Sequence, residues 1–88
     1  MSFGELAMNS VQVKRVIETV RDFPELGQKI RQARERDERS VTDLCRACGL
    51  SRSYWYQLEN EDLRAPATED VIRRIEQVLE VDLGVKFD

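Results

Sequence analysis

Two short stretches with helix signals, separated only by Gly49 and Leu50, constrain this chain more than any other feature of its sequence. Upstream, Val41, Leu44, Cys45 and Cys48 recur at i, i+3, i+4 and i+7, which is one face of a helix. Ser40 precedes them as an N-cap candidate, with Asp43 three residues on. Gly49 stands where a left-handed C-cap residue belongs. Ser51 is placed to cap a second helix that continues through Asn60. Two short helices joined that tightly, with glycine in the turn, form a helix-turn-helix pattern.

The remaining sequence predicts further short helices. No run shows the strict alternation of a half-buried strand. Val13, Val16, Ile17 and Val20 form a stripe, with Asn9 as a possible N-cap and Gln12 at the capping-box position, so an amphipathic helix is expected over 9–22. Asp22, Pro24 and Glu25 look like the next helix start, with Leu26, Ile30 and Ala33 on the buried face of a helix ending near Arg36. Residues 36–39 are all charged and read as a solvated corner. A loop over 61–67 contains Pro66, and Val71, Ile72, Ile75, Val78 and Leu79 then give the strongest stripe in the chain. The tail 82–88 is too short to assign. With 88 residues there is room for one small core, burying roughly 64% of the unfolded surface.

Composition removes several functions. There is no histidine, hence no His-based catalysis, no His-containing zinc site and no histidine pH switch. No nucleophile–base pair or phosphate-cradling glycine loop is visible, so no enzyme and no cofactor is expected. The longest apolar runs, 6–8 and 54–56, are far too short to span a membrane. The N-terminal residues lack the basic and apolar segments of a secretory signal, and two cysteines cannot build a disulfide framework; a cytoplasmic protein is expected. The net charge is −3, but it is uneven: 0 over 1–24, +1 over 25–60 and −4 over 61–88. The middle of the chain can therefore still face a polyanion.

Residues 51–60 carry the functional signal. At about 100° per residue, Arg52, Ser53, Tyr56, Gln57 and Asn60 fall within one arc. Tyr54, Trp55, Leu58 and Glu59 fall on the other, where Trp55 and Leu58 can pack on Leu44 and Cys45. Arginine pairs with guanine O6 and N7, glutamine with adenine N6 and N7, and serine with either. Three such groups near the start of an exposed helix are what a major-groove reader requires.

These residues reach a family resemblance. The run Leu26-Gly27-Gln28-Lys29-Ile30-Arg31-Gln32-Ala33-Arg34, then Ser40 to Leu44, Gly49-Leu50-Ser51, Gln57-Leu58-Glu59-Asn60, Pro66 and the helix expected over 68–79 resemble the phage-repressor/Cro-type (XRE) helix-turn-helix DNA-binding family. The resemblance covers about 25–83. It implies an all-α, five-helix domain of the lambda-repressor-like type, here preceded by an extra N-terminal amphipathic helix within 1–24 and followed by a tail over 84–88. It further implies a DNA-binding transcriptional regulator, a repressor, that binds double-stranded DNA as a homodimer. Ser51, Arg52, Ser53 and Gln57 match positions that contact bases or nearby phosphates, and Tyr54 and Tyr56 match positions at the DNA edge or backbone. Ser40 starts the helix whose N-terminal amides meet a phosphate. Arg34 and Glu59 match a family ion pair. Val41 stands where a phosphate-binding glutamine is common, which shifts that contact to Arg39 or Arg64. Arg39 itself replaces an apolar staple. Glu61 replaces the glycine that ends the recognition helix, which moves the left-handed position to Asn60, and Glu61 and Asp62 would repel phosphates. The appended N-terminal helix would complete the core or form a dimer interface.

Two other motifs have structural readings. Cys45-Arg46-Ala47-Cys48 has redox-motif spacing but lies on the apolar face of a short helix, so both cysteines are expected as small core residues. Arg73-Arg74 reads as solvated helix surface. The acidic C-terminal third and Glu61 suit the alternative of an antitoxin-like or adaptor module that binds a protein partner with the same fold.

Overall fold

A computed structural model describes residues 10–14 and 20–87. Three of its helices begin by one device. The side chains of Ser40, Ser51 and Thr68 each accept the backbone N–H of the third residue on, at 3.1, 3.1 and 3.2 Å. That satisfies one orphan donor per helix. The three helices are Val41–Cys48, Arg52–Glu59 and Glu69–Leu79. A fourth, Leu26–Arg36, precedes them. In chain order they are α1 (Leu26–Arg36), α2 (Val41–Cys48), α3 (Arg52–Glu59) and α4 (Glu69–Leu79).

Helix α1 starts differently. Glu25 holds a left-handed conformation, φ 63°, and supplies no side-chain cap. The carboxylate of Glu61 takes that role from across the fold, accepting the Gly27 N–H at 3.3 Å. Its charge also complements the positive end of the helix dipole. Asp22 and Pro24, expected to start this helix, belong to a strand instead.

The expectation of an all-α, five-helix domain is corrected by the N-terminal segment. Among the described residues there are four helices and a three-stranded sheet. Strand β1 (Ser10–Lys14) pairs antiparallel with β2 (Val20–Pro24), with Val11 opposite Phe23 and Val13 opposite Arg21. On its other side β1 pairs parallel with β3 (Ala67–Thr68), which gives the order β2-β1-β3. The helix expected over 9–22 is therefore a pair of strands. Val16 and Ile17 of its stripe, and its cap Asn9, lie outside the described residues. The physical reason is visible in β1. Val11 and Val13 are buried while Gln12 and Lys14 are exposed, a period of two on β-branched residues. The backbone of β3 supplies a ladder that no helix could use.

One core joins all these elements. Trp55, Ile30, Leu44, Leu58, Ile72, Ile75, Val11 and Val13 are fully buried within it. After α4 the chain continues without regular secondary structure, with Leu83, Val85 and Phe87 buried and Gly84 and Lys86 exposed between them. Phe87 meets Phe23 edge-on, with ring centroids 5.7 Å apart, so the C-terminal segment closes the core beneath the hairpin. Arg73, expected as solvated surface, donates to the Val85 carbonyl at 2.6 Å and pairs with Glu69 and Glu76. No helix among the described residues is long and apolar enough to cross a membrane.

Candidate nucleic-acid interface

The turn between α2 and α3 is closed by backbone hydrogen bonds. Gly49 adopts φ 71°, a conformation that costs glycine little. Its N–H reaches the Arg46 carbonyl at 3.3 Å, and the Leu50 N–H reaches the Cys45 carbonyl at 2.9 Å. This is the Schellman arrangement expected of a helix ending in glycine. Arg74 adds a donor from α4, 2.8 Å from the Cys48 carbonyl.

The inner side of α3 is anchored by one buried carboxylate. Glu59, its side chain only 3% exposed, receives the Trp55 indole N–H at 2.6 Å and Arg34 Nη2 at 3.0 Å. Arg34 Nε binds the same carboxylate, completing a two-pronged pair with α1. This hydrogen bond is the main cause that raises the Arg34 pKa. The expected Arg34–Glu59 pair is thus present. The Trp55 bond to Glu59 is an addition that the i, i+4 spacing of the two residues could have suggested.

The far end of α3 seats on α1 without clearance. A Cβ on Gly27 would stand 2.5 Å from the carbonyl oxygens of both Leu58 and Glu59, so α1 can approach only through glycine. Helix α3 then ends in a second Schellman-type turn, with Glu61 N–H on the Leu58 carbonyl and Asp62 N–H on the Gln57 carbonyl. The left-handed residue of that turn is Glu61, φ 57°, whereas Asn60 stays helical at φ −84°. This corrects the expectation that Asn60 would take that position. The carboxylate bond to Gly27 holds Glu61 there and turns its charge toward α1.

The outer side of α3 faces solvent. Ser51, Arg52, Ser53 and Asn60 are exposed, Tyr56 is 44% exposed, and Gln57 is half-buried. Among the described residues Arg52, Gln57 and Arg64 make no side-chain hydrogen bond, and Arg52 and Arg64 are exposed. The Ser40 and Ser51 hydroxyls accept cap bonds, which leaves each hydroxyl proton available to a phosphate. Tyr54 differs from its neighbours. It is half-buried against the core, and burial raises its phenol pKa above the ordinary value. Arg39 is largely occupied. Its Nε and Nη2 hold Asp37 at 3.0 and 2.8 Å, and Nη2 also reaches the Val78 carbonyl at 2.7 Å. Val41 is half-buried against the core.

The cysteines stand as expected. Both are free and buried, and burial raises both thiol pKa values. Among the described residues no group of three or more His, Cys, Asp or Glu side chains is placed to hold a metal ion. The acidic C-terminal third is also less available than its count implies. Glu69 and Glu76 pair with Arg73, Asp70 with Arg74, and Asp82 accepts the Gly84 N–H.

Comparison with known proteins agrees with this architecture. A helix-turn-helix domain profile matches residues 25–85, more than half of the chain. No curated protein and no solved structure gives a significant match. Helix-turn-helix domains of this type are DNA-binding domains, as the phage-repressor/Cro-type resemblance implied. With its tight Gly49 turn, its buried inner face and its polar outer helix, the chain belongs to the helix-turn-helix domain family.

Proposed function

We propose that this protein is a sequence-specific DNA-binding transcriptional regulator, acting as a repressor, that reads the major groove with α3. The observation that carries this is the division of α3. Trp55, Leu58 and Glu59 bind it to the protein, while Arg52, Ser53 and Tyr56 are exposed and Gln57 is half-buried beside them. An eight-residue helix is about 12 Å long, comparable to the width of the major groove. Arg52 can donate twice to a guanine edge, Gln57 can donate to adenine N7 and accept from its N6 amino group, and Ser53 completes the reading set. Ser40, Ser51 and Arg64 face phosphates, and Tyr56 lies along the DNA edge. Glu61 directs its carboxylate to the Gly27 N–H at the start of α1. A homodimer with reading helices about 34 Å apart would engage successive grooves.

Selection from a random duplex pool tests the proposal. Recovery of a common sequence is expected, and Arg52→Ala and Gln57→Ala should each weaken binding to it by about 1–3 kcal/mol with the fold intact. If neither substitution changes affinity, α3 is not the reading element. A protein that selects no duplex but forms a stable complex with a second protein would favour the adaptor or antitoxin-like role.

A further inference from the structure

We infer that Arg74, acting with Arg39, is a positioning residue that sets the direction in which the recognition helix leaves the turn. This inference rests on the reading of DNA by α3. Arg74 lies on α4 and places Nη1 2.8 Å from the carbonyl of Cys48, the last residue of α2. Its Nη2 stands 3.6 Å from the exposed Asp70 carboxylate, one turn earlier on α4. At the other end of α2, Arg39 reaches the Val78 carbonyl near the end of α4 at 2.7 Å, and Asp37 holds it in place. Two cations thus tie α2 to α4 from opposite ends. Each sits at the carbonyl end of a helix, where the dipole favours positive charge.

The geometry makes Arg74 matter to α3. Only Gly49, Leu50 and the cap Ser51 separate the held carbonyl from the first residue of α3. Gly49 and Leu50 are themselves hydrogen-bonded back into α2, so a shift of the Cys48 carbonyl passes to Ser51 and Arg52 with little slack. The guanidinium lies against the outside of the turn, since a Cβ on Gly49 would meet Arg74 Nη1 at 3.2 Å. The other end of α3 is held independently by Glu59 and Gly27. Losing Arg74 therefore frees the end of α3 that carries Ser51, Arg52 and Ser53, and leaves the far end fixed.

The test compares Arg74→Met with Arg74→Lys in the full chain. Amide hydrogen exchange needs no DNA. In Arg74→Met, exchange at Gly49 and Leu50 should rise about tenfold or more, while Ile30 and Ile75 keep wild-type protection. Arg74→Lys, which retains a charged donor, should restore most of that protection. In binding, Arg74→Met should lose about tenfold for the duplex selected by the wild type. Its affinity for a scrambled duplex and its salt slope should not change. A fall in both affinities, with a salt slope smaller by about 0.9, would make Arg74 a phosphate ligand and overturn the inference. Unchanged exchange at Gly49 and Leu50 would also overturn it. A wild type that selects no duplex overturns the DNA reading instead, and the hold of Arg74 on the turn is then decided by exchange alone.

Discussion

Replacing Arg34 with alanine should be far more damaging than a surface substitution, and the reason lies in what it leaves behind. The Glu59 carboxylate has three donors, two from Arg34 and one from Trp55. Arg34→Ala removes two of them and the cation of the ion pair, yet leaves the carboxylate buried. Breaking such a pair by removing one partner costs about 3–5 kcal/mol. The Arg34 side chain is 20% exposed, so water entering its vacated space places the cost near the lower figure, about 3 kcal/mol. Total stability for 88 residues is on the order of 4–13 kcal/mol, so the loss takes a quarter or more of it. Trp55 is the single tryptophan and is fully buried, so its fluorescence follows urea unfolding directly. With a slope of about 1 kcal/mol per molar urea, the midpoint should fall by about 3 M. Added salt should not remove the difference, because a buried pair is poorly screened. Combining Arg34→Met, Glu59→Leu and Trp55→Phe removes the charge with all its partners, and should recover most of the loss; because this variant has no tryptophan, its urea unfolding is followed by far-UV circular dichroism. A midpoint shift below about 0.5 M for Arg34→Ala would refute the reasoning, since Glu59 would then find its compensation elsewhere.

Val13→Ala, at a fully buried strand position, should cost about 2 kcal/mol in the same assay; a change within about 0.5 kcal/mol would mean that the hairpin is peripheral to the core. At Glu61, φ 57°, both Ala and Gly remove the carboxylate that caps α1, but only Gly relieves the left-handed backbone. Glu61→Gly should therefore be more stable than Glu61→Ala by about 1 kcal/mol, and equal stabilities would contradict the assigned conformation. Hydrogen bonds from Arg39 hold the Asp37 carboxyl at about 2, below its ordinary 3.8. The sign follows from that depression: its stabilisation is complete above about pH 4 and is lost as pH falls through about 2. Carboxyl resonances followed by NMR through acid titration should show this, and Arg39→Ala should return Asp37 to the ordinary range.

How much was legible in the sequence depended on how local each cause was. Ser40, Gly49 and Ser51 specify their caps and turn through hydrogen bonds within a few residues, so α2, α3 and the tight turn could be placed from the chain alone. The same holds for the two sides of α3, where helical periodicity separates Trp55 and Leu58 from Arg52 and Ser53. The N-terminal segment misled. Val13, Val16, Ile17 and Val20 fit helical spacing and only Val11 and Val13 alternate, while the parallel partner of β1, strand β3, lies more than fifty residues away. Distance in sequence likewise concealed the partners of Arg39, Glu61, Arg73 and Arg74, which are charges that read as solvated until the fold brings a backbone group to them. Local hydrogen bonding and periodicity thus determined the helix-turn-helix unit and its outer face. Tertiary structure alone decided the sheet, the left-handed Glu61 and the arginine ties, because a backbone group can recruit a strand or a charge only after folding has placed the two together.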